Sequence, residues 1–359
     1  MYTRIWQSGI IWIKKQLSLL AAAAGMFSAM EVAAASAVVT AAVLSWPATS
    51  SAAEEPEAGT LSLVFENDLF YDTDRNYTNG VRASWLSGPD KTPAWALNAA
   101  RWFPLFPEGG TVRTSYAVGQ NMYTPDDIAL RNPPLDDRPY AGWLYGSIGL
   151  IAETGRRLDQ LELTLGVVGP ASLAEQTQKI VHEITGSQEP RGWDTQLKNE
   201  PGVVLTYQRS WRGFVSQSVS GFGFDVTPHA GGALGNVFTY ANAGMMLRLG
   251  QRLPLDYGPP RIQPSLPGSG FFVPQDRFGW YLFAGVEGRA VARNIFLDGN
   301  TFKDSRSVDK EPLVGDLQFG IALTWRNVRL SYTHVLRTRE FETQDEADEF
   351  GAFSLSVRF

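Results

Sequence analysis

Two short stretches hold residues whose types and spacing suit chemistry. The first is LVFENDLFYDTDRNYTNGVRASW, residues 63–85. Glu66, Asn67 and Asp68 end one alternating run there, and Tyr77, Thr78, Asn79 and Gly80 begin the next. If the two runs are neighbouring antiparallel strands, their loop brings Asn67, Asp68 and Thr78 together. Carboxylate, amide and hydroxyl oxygens in one place suit a hard cation, calcium above all. The same residue types also shape ordinary turns, and residue chemistry alone leaves both readings standing. A helix-loop-helix calcium loop over DTDRN, with Asp72, Asp74 and Asn76 alternating, fails its own pattern. Its glycine position holds Tyr77, and its bidentate acid position holds Ala83.

The second stretch is SLAEQTQKIVHEIT, residues 172–185, which reads as a helix. Ser172 with Glu175 has the spacing of a capping box, and Gly186 is placed to end the helix. Leu173, Thr177, Ile180, Val181 and Ile184 form an apolar stripe that is expected to pack. Glu175, Gln178 and His182 lie on one polar edge, where a His is inert unless the helix builds a cleft. The other two histidines read as structural: His334 shares the lipid-side parity of Leu330 and Tyr332, and His229 follows Pro228 near an outer strand end.

Those stretches need elements to hold them. The chain has 359 residues, 35 Gly, 12% aromatics, no Cys and a net charge of −6. The charge gives no electrostatic case for nucleic acid. Zero Cys excludes disulfides, thiolate catalysis and Cys-bound zinc. Lys14 and Lys15 precede apolar runs and small residues at Ser51 and Ala53, so residues 1–53 read as an export signal. Glu31 interrupts the apolar stretch and argues against a single membrane-spanning helix. Residues 54–359 form the remaining domain.

Beyond Gly59 the dominant period is two. In LDQLELTLGVVG, Leu161, Leu163, Leu165 and Val167 oppose Glu162, Thr164 and Gly166. Leu282, Ala284 and Val286 alternate with Phe283, Gly285 and Glu287. The final residues GAFSLSVRF alternate too and end on Phe359. About twelve such segments have the roughly 9–11 residues a tilted membrane strand needs. The expectation is an all-β fold: a twelve-stranded antiparallel transmembrane β-barrel with a short helix in an extracellular loop. Trp143, Tyr145, Trp280, Tyr281 and Trp325 are expected near the membrane interfaces. With both termini in the periplasm, loops 68–77, 121–140, 168–201, 292–313 and 338–350 face outward. The inward connections 88–111 and 250–278 are long and Pro/Gly-rich, and the pattern gives no reason for their length.

FENDLFYDTDRNYTNGVRASW, GQNMYTPDD, DDRPYAGWLYGSIG, LGVVGP and HEITGSQEPRGWDTQLKNEPG together resemble the lipid A 3′-O-deacylase family of outer-membrane barrels, from about Thr60 to Phe359. The resemblance implies a calcium-dependent enzyme that removes the 3′-linked acyloxyacyl group of lipid A. Its site residues match Asn67, Asp68, Thr78, Gln178 and His182. One position departs: the loop after the Y-T-P motif, DDIALRNPPLDDRPYAG, lacks the family's Lys, and Arg131 is the nearest basic residue. Arg can hold a phosphate but cannot act as a base. No Ser-His-Asp or Ser-Lys set is evident, so water is the expected nucleophile. His182 is its general base, with Gln178 orienting water or imidazole. Asp68 and Thr78 are expected to ligate Ca2+, and Asn67 to ligate it or donate a hydrogen bond. The expected partners are lipopolysaccharide in the outer leaflet and membrane lipids, with the chain a monomer. Two rivals remain: a phospholipase-type esterase on the same surface, and a non-catalytic structural barrel or pore.

Overall fold

Alternating side chains let a strand bury one face and give the other to lipid, but its backbone groups still need partners. In a bilayer only closure of the sheet supplies them all. The computed structural model describes residues 59–68, 76–107, 109–262, 264, 270–273 and 275–359. The expected export signal and the acids Asp72 and Asp74 lie outside the described residues. The strands are β1 (Gly59–Asn67), β2 (Asn76–Ser87), β3 (Thr111–Thr124), β4 (Ala141–Thr154), β5 (Arg157–Val168), β6 (Glu200–Trp211), β7 (Val215–Val219), β8 (Phe222–Gly235), β9 (Phe238–Gln251), β10 (Gln275–Asn294), β11 (Leu313–Arg326), β12 (Val328–Arg337) and β13 (Asp348–Arg358). Sequence neighbours pair antiparallel, β13 returns to β1, and β6 pairs with β8 to close the wall. β7 continues β6 past a break at residues 212–214, so the closed barrel has twelve staves. Both chain ends of the barrel lie at one end, called here the terminal end, with the short turns at residues 155–156, 220–221 and 327. The longer loops gather at the loop end.

Pairings across the barrel identify the inner face. Arg82 on β2 reaches Glu162 on β5 at 2.6 Å, across strands that are not neighbours. Glu162 therefore faces in, and its neighbours Leu163 and Leu165 face out and are exposed. Residues expected on the lipid side at Leu282 and Val286 are likewise exposed. Trp325 is exposed as expected of an interfacial aromatic, but Trp143, Tyr145 and Tyr281 are buried and face the lumen. Strand parity, not proximity to a strand end, sets where an aromatic goes.

The lumen is filled. Near the loop end Tyr77, Tyr123, Trp143, Tyr145, Phe238 and Phe296 share one apolar cluster, with Tyr123 stacked on Phe296 at 4.0 Å. Below it Asp316 takes bidentate bonds from Arg289 and Arg337, at 2.9–3.0 Å. His229, expected near an outer strand end, instead lies midway along β8, bonded to Glu287 at 3.1 Å inside the barrel. Its place on the inward parity overrides the turn signal of Pro228. His334 is where its parity puts it, against the ring of Phe319 at 4.5 Å on the outer face.

The two long connections at the terminal end have distinct destinations. Residues 88–107 carry helix α1 (Ala94–Ala100) and fold back on the outer wall. Residues 252–262 run up into the lumen. Their Asp256 meets Arg248, Arg329 (2.8 Å) and the Tyr281 hydroxyl (3.0 Å), all buried. Higher up, Arg261 donates to Glu66 at 2.6 Å. A void of about 20 Å³ lined by Trp143, Tyr145, Phe238 and Pro264 has room for roughly one water.

Candidate active site

The opening stretch folds as two adjacent strands. Asn67 pairs opposite Asn79, Asn79 opposite Met122, and Met122 opposite Gly142, a row across β1 to β4 at the loop end. Val81, two residues from Asn79, is exposed on the outer wall, so this row faces out as well. Thr78 has no place in the regular ladder. The register shifts between Tyr77 and Asn79, and Thr78 is the extra residue of the bulge. A bulge re-aims a side chain without unravelling the sheet. Here it lets Tyr77 enter the lumen cluster while the Thr78 hydroxyl bonds the Thr124 hydroxyl at 2.7 Å. Asp68 follows β1 and donates its backbone N–H to the Thr78 carbonyl at 3.3 Å. Asn67, Asp68 and Thr78 are thus brought together, and all three are buried.

The donor set fits a hard cation in its chemistry: one carboxylate, one amide and the hydroxyls of Thr78 and Thr124, all oxygen. It is poor in charge, since among the described residues no group of three or more His, Cys, Asp or Glu gathers to hold a metal.

The loop helix, α2 (Ala174–Thr185), stands beside this row on the outer wall. Gly142 makes that possible, because a Cβ there would collide with Ser172 and Ala174. Gln120 on β3 donates to the Ser172 carbonyl at 2.7 Å and fixes the helix start. The expected capping box does not form. Leu173 is the N-cap, in the left-handed region at φ 61°, with no side-chain cap bond, because Ser172 is buried over Gly142 in the preceding 3-10 turn. Gly186 does end the helix, at φ 72°.

The facing of α2 reverses the expectation. Its polar edge packs inward, with Gln178 1% and His182 4% exposed, while Ile180 and Ile184 point away from the wall at 56% and 78%. Gln178 Oε1 accepts from Trp193 Nε1 at 2.8 Å, and Trp193 packs with Tyr140, Ile128, Ala174 and Met122. Met122 belongs to both the wall row and this cluster, so it joins the Asn67–Thr78 corner to the helix. The His182 Nδ1 lies 2.5 Å from the Gln188 carbonyl. A carbonyl only accepts, so Nδ1 carries the proton and Nε2 holds the basic lone pair in the neutral ring.

Partners that the sequence reading missed include Thr124, Trp193 and the Gln188 carbonyl. All three fall inside phrases already quoted, MYTP, RGWD and SQEP, but only folding shows whom they touch. Glu66 and Arg261 were missed too. Glu66 accepts from Arg261 Nε and from the Ile262 N–H at 3.1 Å, so the lumen insert grips the residue just before Asn67. Arg131, the basic residue nearest the missing Lys, is exposed in the loop of residues 125–140. That loop is clasped to residues 338–347 by Arg138 and Glu340 at 2.8 Å. Burial by itself would raise the Glu340 carboxyl, but the guanidiniums of Arg138 and Arg337 outweigh it and hold it below the ordinary range.

A family model described as outer membrane protein LpxR matches residues 34–359. Among solved structures, LpxR from Salmonella typhimurium aligns with a TM-score of 0.66 at 21% identity, over 84% of this chain and all of that one. The β domain of the Bordetella autotransporter BrkA aligns over 85% of this chain and 99% of that one, at 10% identity and a TM-score of 0.40. Comparison with curated proteins finds no match.

Proposed function

The chain belongs to the LpxR family of outer membrane proteins, and we propose that it is a lipid A deacylase, hydrolysing the 3′-linked acyloxyacyl ester at the cell surface. The observation that carries this reading is the side of the wall on which the polar residues sit. Asn67 and Thr78 sit on the outer face at the loop end, and α2, which carries Gln178 and His182, packs on the same face where Ala174 meets Gly142. Directly below them on the same face lie the exposed Phe65, Val81 and Val118. A lipid in the leaflet at that end can lay its acyl chains on this wall while its ester reaches the polar row. Ile180 and Ile184, turned away from the wall, offer α2 a second apolar contact with the same leaflet.

In this reading a water lies between the ester and His182. Nε2 takes the water proton as the oxygen attacks the ester carbonyl, and the imidazolium that forms keeps its Nδ1–H on the Gln188 carbonyl. The same His182 then returns the proton to the departing sugar oxygen. Such a base contributes roughly 10²–10⁴ in rate. Gln178, held by Trp193, would orient the water or the imidazole. Asn67 is placed to hold the substrate at the head of the row. Asp68 and Thr78, with the Thr124 hydroxyl, would hold Ca2+, which when bound polarises the ester carbonyl and offsets oxyanion charge.

A passive pore is the weaker reading, since aromatic rings and the insert of residues 252–262 occupy the lumen. Purified protein given lipid A in detergent is expected to release the 3′ acyl group, to stop in excess chelator and to resume with calcium. Full activity in chelator contradicts the metal assignment. Acyl release from glycerophospholipid in place of lipid A moves the assignment to a phospholipase.

A further inference from the structure

The segment of residues 88–107 does something a barrel turn has no need to do. It leaves the terminal end of β2 and lies back along the outside of the wall. Ala96, Ala100 and Phe106 pack on Leu150 and Ala152 of β4, with Val112 of β3 and Leu161 of β5 completing the contact. Leu150 is opposite Leu161, and Ala152 is opposite both Val112 and Asp159, so all of these share one face. Leu163 and Leu165, next on that face, are exposed, which makes it the lipid-facing one. The segment therefore takes the place of lipid along three staves.

Polar groups fix its depth. Asp159 is fully buried on this outer face, held by Arg157 (2.8 Å), Arg209 (2.6 Å) and the Tyr207 hydroxyl (2.6 Å). Tyr207 and Arg209 also donate to the Leu105 carbonyl at 3.0 and 2.8 Å. Charged groups on the lipid face of a barrel cost about 2–4 kcal/mol at the midplane and little near the interface, so this cluster marks the headgroup level. The apolar residues the segment turns away from the wall are Trp95 (56% exposed), Trp102 (89%) and Leu105. Tryptophans beside a charged band, Trp95 on a short helix whose other face is already packed and Trp102 in the turn after it, have the pattern of an interfacial anchor.

We propose that residues 94–106 form a membrane-interface anchor that seats Trp95, Trp102 and Leu105 among the phospholipids of the leaflet at the terminal end. The occupant is lipid rather than a second copy because the patch continues the lipid-facing wall at Leu163 and Leu165 without a break. The inference stands apart from the enzymatic reading, since the catalytic candidates are at the other end of the wall.

The cysteine-free sequence makes the test direct. Trp102→Cys and, separately, Trp95→Cys are spin-labelled in the full-length protein and reconstituted in phospholipid nanodiscs. Leu165→Cys serves as the lipid-facing reference and Leu135→Cys, exposed in the loop of residues 125–140, as the aqueous one. Collisions with oxygen are expected to dominate over those with a water-soluble nickel chelate at both Trp positions, as at Leu165. Dominance of the chelate, as at Leu135, overturns the proposal. So does dipolar broadening at Trp102 that vanishes on dilution with unlabelled protein, which would put a second copy on the patch. Trp102 packs on nothing that its removal would empty, and heat-modifiable gel mobility verifies that each labelled barrel is folded.

Discussion

The lumen and the outer-wall row both bury polar groups, but they neutralise them differently. Inside the barrel, charge answers charge: Arg289 and Arg337 close on Asp316, and Arg248 and Arg329 close on Asp256. At the outer-wall row the partners that set geometry are neutral. The Thr78 hydroxyl meets the Thr124 hydroxyl, Gln178 meets an indole N–H, and His182 meets a backbone carbonyl. A saturated ion pair holds a shape and has little left to offer a substrate. A neutral partner orients a group and leaves its lone pairs or protons for chemistry. On this account the lumen is scaffold and the row is the reactive surface, and variants of the two regions should fail in different ways.

The sharpest contrast sets Asp316 against His182. Asp316→Ala leaves two buried guanidiniums uncompensated and should cost about 3–5 kcal/mol of stability. Activity per folded barrel should stay near the parent value, as read by denaturant titration alongside turnover. His182→Ala should do the reverse, losing at least about 10²-fold in rate with the barrel intact. Because His182 is buried, it should also lose about 1 kcal/mol through its hydrogen bond to the Gln188 carbonyl. An Asp316 variant that is stable but inactive would erase the distinction.

Trp193→Phe tests the neutral partners more finely. It keeps the ring but strands the buried Gln178 oxygen, at about 1–3 kcal/mol. Turnover should fall by less than in His182→Ala, and restored packing with unchanged turnover would remove Gln178 from the mechanism. The loop clasp gives a smaller, pH-dependent effect. The folded-state pKa of Glu340 is depressed, so its contribution is present above the unfolded value and fades as pH falls through the folded one. Melting temperature should therefore drop on the acid side, and Glu340→Gln should flatten that drop. Smallest of all, Leu173→Gly relieves a left-handed residue worth about 1–2 kcal/mol, partly offset by the chain entropy of glycine, and should raise the melting temperature slightly.

Much of this was legible in the sequence, for a physical reason. Period two survives wherever one face meets lipid, so the staves and the meeting of Asn67, Asp68 and Thr78 could be read directly. The helix could be located by its period, but its facing could not be inferred from amphipathicity. Ile180 and Ile184 point away from the wall. His182 and Gln178 go inward because Gly142, Trp193 and the Gln188 carbonyl receive that edge. The two long connections have no period at all. Their roles rest on contacts far apart in sequence, such as Arg261 with Glu66 and Leu105 with Arg209, which no local pattern encodes.

The central claim is that the row on the outer wall hydrolyses lipid A, and one measurement addresses it most directly. Lipid A is extracted from a host that lacks such an enzyme, after expression of the parent chain or of His182→Asn, and weighed by mass spectrometry. The account predicts loss of the 3′-linked acyloxyacyl mass with the parent chain and intact lipid A with the variant, at equal amounts of heat-modifiable barrel and with calcium present. Intact lipid A with the folded parent chain, or the same loss with both, would contradict it.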